Sequence, residues 1–144
     1  HFDLIKNSIK PNEKIKFLFN ENYELGMFSS IKKAIENIDF NIPFFLQMVD
    51  QPFVSNDVYK SIINSYDNNY LLIQPSKNNK KGHPLLFNPD IIEVIKKASL
   101  EDNLKNILSN HLTEIKYVEI DDESIFDNIN TKELFEQHKN KNSY

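Results

Sequence analysis

The chain has 144 residues and a formal net charge of −4, with 40% hydrophobic and 26% charged residues, which excludes a disordered or fibrous chain and points to one globular domain. It has no cysteine, so disulfide scaffolds, zinc–thiolate sites and thiol nucleophiles are excluded, and a reducing cytoplasm is the expected compartment. All 17 basic residues are lysine, which argues against a nucleic-acid partner; no apolar run approaches the ~20 residues of a membrane helix, and the start shows no secretory signal.

In chain order, apolar spacing in Phe2–Ile9 predicts a short helix ended by Pro11. Lys14–Phe19 reads as a strand, followed by a polar loop, Asn20–Gly26. Ser29 or Ser30 is expected to start a helix with Ile31, Ala34, Ile35 and Ile38 on one face. Ile42–Val49 is almost continuously apolar, the pattern of a strand buried on both faces of a parallel sheet. Ser55-Asn56-Asp57 caps a helix carrying Val58, Ile62, Ile63 and Tyr66. Tyr70–Gln74 is a second buried strand closed by Pro75, and Ser76–Lys81 is a polar loop. The apolar run Leu85–Phe87 precedes a helix opened by Asn88-Pro89, and another helix is expected over Leu100–Leu108. Glu114–Ile120 alternates as a strand, Asp121–Glu123 turns, and Ile125-Phe126 extends a strand. Asn130-Thr131 caps a last helix to about His138, and 139–144 are expected to fray. Strands alternating with helices, with apolar inner strands, predict an α/β fold: a Rossmann-like, open, mostly parallel sheet with helices on both faces, in one domain over 1–144.

In such sheets ligands bind beyond the carboxyl ends of the strands. Three polar segments lie there. Asp50-Gln51-Pro52 follows the most apolar strand, and Asp50 either binds a divalent metal or forms a turn before Pro52. In Gly82-His83-Pro84 the proline restricts the His83 backbone, so the imidazole either meets a ligand or packs in a tight turn. In Asn128-Ile129-Asn130-Thr131 an amide joins Asp50 at a metal, or the residues simply cap a helix. The lysines of Lys77–Lys81 are read first as a solvated loop.

Asn20–Ser30 with its Gly-Met-x-x-Ser ending, Val49-Asp50-Gln51-Pro52, Gly82–Phe87 and Asn128–Thr131 stand in an order and spacing that resembles the molybdenum cofactor nucleotidyltransferases, most closely the cytidylyltransferase branch. The resemblance covers about Lys14 to Glu136. It implies Mg-dependent joining of CTP, favoured over GTP, to molybdopterin with release of pyrophosphate. Asp50 and Asn130 would then be catalytic and hold the metal. Gly26, Met27, Ser29, Ser30, Asp50 and Gln51 would bind the nucleotide, and Gly82, His83, Pro84, Asn128 and Thr131 the acceptor. A molybdoenzyme or its maturation chaperone would be the downstream partner.

The chain departs from the family pattern in two ways. It has amides in the Asn-Ile-Asn-Thr element, and it lacks both arginine and an N-terminal glycine-rich triphosphate loop. With His1 in place of a Met start, these features lead us to expect an N-terminal truncation that removes the first strand. They further suggest that this chain alone is inactive, and that its free strand edges favour a homodimer. The alternative reading is a non-catalytic protein of the same fold that binds and delivers the molybdenum cofactor.

Overall fold

The computed structural model describes residues 1–37 and 41–141. They fall into two compact units, one from 1–39 and 92–110, the other from 40–91 and 111–144.

The first unit is helical among its described residues. Helix α1 is Phe2–Ser8, as its apolar spacing predicts, yet none of its residues is buried. Lys14–Phe19 is not a strand. Backbone N–H and C=O groups form a strand only against a ladder partner, and the described residues of this unit supply none. A 3-10 turn, Tyr23–Leu25, leads through Gly26 into α2 (Met27–Asn37). This helix begins two residues before Ser29, because Ser29 lies in its first turn and returns its hydroxyl to the Gly26 carbonyl at 2.8 Å. Phe28, Ile31 and Ile35 are its buried apolar residues, and Ile38 lies outside the described residues. Helix α4 (Ile91–Lys97) opens with Asn88 accepting from the Asp90 N–H. Helix α5 starts at Leu104, later than Leu100, because the Asn103 side chain caps it through the Asn106 N–H at 2.9 Å; it ends at Ser109.

The second unit holds an open five-stranded sheet: β1 (Phe44–Leu46), β2 (Leu72–Lys77), β3 (Lys80–Lys81), β4 (Leu85–Phe87) and β5 (Ile115–Glu119). The order is β1-β4-β2-β3, with β5 pairing β2. The α/β class and open sheet are as expected, but the described sheet is mixed. Only β2–β5 is parallel, while β1–β4, β2–β4 and β2–β3 are antiparallel. The run 42–49 is therefore not a long, fully buried parallel strand. Pro43 cannot donate to a ladder, β1 is short and half-buried at the sheet's end, and Ile42 (72% exposed) and Val49 (97% exposed) face solvent. Pro75 lies inside β2 rather than closing it; its carbonyl accepts the Gly82 N–H at 2.8 Å. The loop after β2 is a tight hairpin in which Asn78 (φ 52°) and Asn79 (φ 64°) take the left-handed conformations that a two-residue hairpin turn requires.

Helix α3 (Asn56–Asn64) is capped by Ser55. Val58 and Ile62 on α3 pack with Ile73, Leu86, Ile120 and Ile125 into one core, while Ile63 and Tyr66 stay exposed. Leu72, Leu85 and Phe87 are buried as well, so alternate residues of β2 and β4 are covered on both sides. Residues 123–126 form a 3-10 turn rather than a strand, because the Asp122 carboxylate accepts the Ser124 N–H at 2.8 Å and curls the chain. Thr131 caps α6 (Lys132–Lys141) by accepting the Leu134 N–H at 3.2 Å; the helix runs past His138, and the rest of the expected frayed tail, 142–144, lies outside the described residues.

Candidate active site

The turn after β1 is tied down at several points. The Gln51 N–H donates to the Met48 carbonyl at 3.2 Å, closing a turn across Val49 and Asp50. The Gln47 side-chain amide donates to the carbonyls of Gln51 at 2.9 Å and Met48 at 3.3 Å. From the far end of the sequence, the Ile129 N–H donates to the Asp50 carbonyl at 2.7 Å. The Gln51 amide donates to Asn128 Oδ1, also at 2.7 Å. The turn is thus joined to the 128–131 segment through the Asp50 carbonyl and the Gln51 side chain.

The Gly82-His83-Pro84 segment lies against the 3-10 turn at 123–126. The His83 N–H donates to the Ile125 carbonyl at 3.0 Å, and Pro84 is buried behind a cis peptide bond. Gly82 is required by close approach: a Cβ there would lie 2.8 Å from the Ile125 carbonyl and from two of its side-chain carbons. Burial holds the His83 pKa below the ordinary histidine value, and the Asp50 charge opposes that shift. His83 is therefore a neutral imidazole at neutral pH, close enough to Asp50 to feel its charge.

Asp50 Oδ1, Gln51 Oε1, Gln47 Oε1 and His83 Nδ1 are buried atoms without a hydrogen-bond partner. Leaving one such group unpaired costs about 1–3 kcal/mol. Three of the four are oxygen acceptors on one tied turn, and they would be satisfied by a cation or a ligand that carries donors. No group of three or more His, Asp or Glu able to hold a metal occurs among the described residues. The Asp50 carboxylate fits Mg²⁺ in one mode: as a single carboxylate ligand, with a substrate's phosphates and water completing the shell.

Asn130 is exposed and directly follows the anchored Ile129, whereas the Thr131 hydroxyl accepts the helix-capping bond. The lysines near the hairpin have partners of their own. Lys77 bonds Asp121 and Glu123, each at 2.7 Å, which raises its pKa; Lys80 lies over the Phe126 ring; Lys81 donates to the Tyr117 hydroxyl at 2.6 Å. The reading of that loop as a solvated surface fits these contacts.

In the first unit Gly26, Met27, Ser29 and Ser30 form the entry to α2. Gly26 has φ 98°, a backbone that side chains rarely adopt, and so turns the chain into the helix. Met27 is half-exposed, while Ser29 is fully buried. The Asn20 amide donates to both serine hydroxyls, at 2.8 Å and 2.9 Å. Asn20, Ser29, Lys32 and Lys33 help line a polar cavity of about 170 Å³. Lys33 pairs with Glu21 at 2.9 Å, and Lys32 donates to the carbonyls of Lys96 and Ala98.

Sequence reasoning missed three residues. Gln47 interrupts an apolar run and carries no periodic signal. Asn20 lies in a segment whose sequence predicts a loop, although a polar residue ahead of Gly-Met-x-x-Ser is a visible cue. Ile125 falls where the sequence predicts a strand, and nothing local to it points to Gly82.

No curated protein matches the chain. It is similar in fold to the crystal structure of a Mycobacterium tuberculosis rv0371c homolog from Mycobacterium sp. strain JC1, with a TM-score of 0.60 and 16% identity over 78% of this chain. It spans only 56% of that protein's length. Residues 6–115 match the family model of the MobA-like NTP transferase domain, and with about three quarters of its length matched the chain belongs to that family.

Proposed function

We propose that this protein is a nucleotidyltransferase that joins a nucleoside triphosphate, CTP in preference to GTP, to molybdopterin and releases pyrophosphate. The observation that carries the reading is Asp50: its Oδ1 is buried and unpartnered on a turn fixed by hydrogen bonds from both sides. A Mg²⁺ ion, when bound, would neutralise charge that develops as the acceptor phosphate attacks the α-phosphorus in line. Asp50 would hold that ion, with Asn130 beside it. His83, kept neutral by burial, offers a hydrogen bond to the acceptor without adding charge. Gly82 and Pro84 hold His83 in place, and Asn128 and Thr131 border the acceptor. Gly26, Met27, Ser29 and Ser30 meet the base and ribose. The preference for CTP rests on the resemblance of Val49–Pro52 and Gly82–Phe87 to the cytidylyltransferase branch.

The test is pyrophosphate release, with Mg²⁺, molybdopterin and either CTP or GTP, by a longer form of the protein that carries a glycine-rich triphosphate loop ahead of residue 1; the 144-residue chain alone is expected to be inactive. The expected result is faster release with CTP and a loss of about a hundredfold or more in Asp50→Asn. No release with either nucleotide would overturn the reading. Molybdopterin binding without turnover would instead favour the cofactor-delivery alternative.

A further inference from the structure

We infer that Gln51 is a positioning residue, which locks Asp50 to the 128–131 segment, rather than a nucleotide contact. The inference rests on the reading of Asp50 as the cation ligand. Gln51 is only 4% exposed. Its N–H goes to Met48, its carbonyl receives the Gln47 amide, and its own side-chain amide donates to Asn128 Oδ1 at 2.7 Å. Its Oε1 is uncommitted and buried. A side chain so spent can direct its neighbour, and its neighbour is the carboxylate. Gln47 completes the brace: its amide bridges the two ends of the Met48–Gln51 turn that carries Asp50.

The tie is asymmetric. Gln51 is buried, whereas Asn128 is exposed. Removing the Gln51 amide returns Asn128 Oδ1 to water at little cost. Removing the Asn128 oxygen strands a buried donor. Gln51→Met keeps length and volume, so it cuts the tie without opening a cavity.

The experiment is titration of the full chain with Mn²⁺ alone, followed by water-proton relaxation, with thermal midpoints as the control for folding. Wild type is expected to bind through Asp50, with binding lost in Asp50→Asn. Gln51→Met is expected to bind about tenfold more weakly at an unchanged midpoint, the scale typical of residues that orient a metal ligand. The swap Gln51→Asn with Asn128→Gln, which preserves the combined reach of the two amides, is expected to recover most of the loss. If Gln51→Met binds as tightly as wild type while Asp50→Asn does not bind, the positioning role is wrong and the metal reading stands. If Asp50→Asn binds as tightly as wild type, or if wild type binds no Mn²⁺, Asp50 is not the ligand and both fall.

Discussion

In the unit formed by 1–39 and 92–110, the candidate residues Gly26, Met27, Ser29 and Ser30 lie within one helical turn. They are organised by local bonds, among them Gly26 to Tyr23 and Ser29 to Gly26. In the unit formed by 40–91 and 111–144, Asp50, His83 and Asn128 come from three distant stretches of chain. There the ties are Ile129 to Asp50, Gln51 to Asn128 and His83 to Ile125. The first arrangement depends on backbone conformation at one glycine. The second depends on the packing of a sheet and the turn beside it, so the two should fail under different kinds of substitution.

The largest effect is expected at the packing that supports the second arrangement. Ile125 is fully buried, in one core cluster with Val58, Ile62, Ile73, Leu86 and Ile120. Ile125→Ala is expected to cost about 2–5 kcal/mol in chemical denaturation. It should also broaden the amide resonances of His83 and Ile129 while leaving those of Gly26 and Ser29 unchanged. Equal broadening in both sets would erase the distinction between the two arrangements.

A matched pair of glycine substitutions sharpens it. Gly82→Ala places a Cβ 2.8 Å from the Ile125 carbonyl, so backbone must shift, at about 1–3 kcal/mol. Gly26→Ala meets nothing within 4 Å, but φ 98° is strained for alanine, again about 1–3 kcal/mol. Similar losses of stability should therefore arise from different causes. A structure of each variant would show moved neighbours around residue 82 and a changed backbone, with unmoved neighbours, around residue 26.

The smallest effect is a titration. Burial lowers the His83 pKa, so the unfolded chain takes up a proton more readily than the folded one. The stability that this residue contributes is complete above its ordinary pKa of about 6.5 and is lost as pH falls from there through the lower folded value. NMR titration of the ring is expected to give a midpoint below 6.5, displaced further down in Asp50→Asn, because the Asp50 charge now raises it. An upward displacement in that variant would show that Asp50 does not act on the ring.

Much of this was legible where the controlling forces are local. The apolar spacing of Phe2–Ile9, the Ser55 cap and the caps at Asn88 and Thr131 all depend on neighbours within four residues, and they match the sequence reading. Lys14–Phe19 and Ile42–Val49 depart from the sequence expectation because strand character is decided by a partner elsewhere in the chain. An apolar run cannot report whether its neighbour is parallel, antiparallel or missing. The candidate residues were legible as four short elements, with Asp50, His83 and Asn128 at the ends of apolar runs. The bond from Gln51 to Asn128 was not, because nothing in a glutamine's sequence context says that its amide meets an asparagine 77 positions away.

The parallel pairing of β2 with β5 has a consequence for synthesis. Ser76 stands opposite Glu119, and their side chains bond across 43 residues, an interval that includes every residue of the first unit's second segment. Translated from the amino end, the first unit is complete in sequence at Asn110, before β5 exists. The second unit must wait for its last strand, then for Ile120 and Ile125 to cover Ile73 and Leu86, and last for Asn128 and Ile129 to reach the Asp50 turn. A nascent chain released at residue 127 would carry the Asp50 carboxylate on a turn still missing both of its long-range ties.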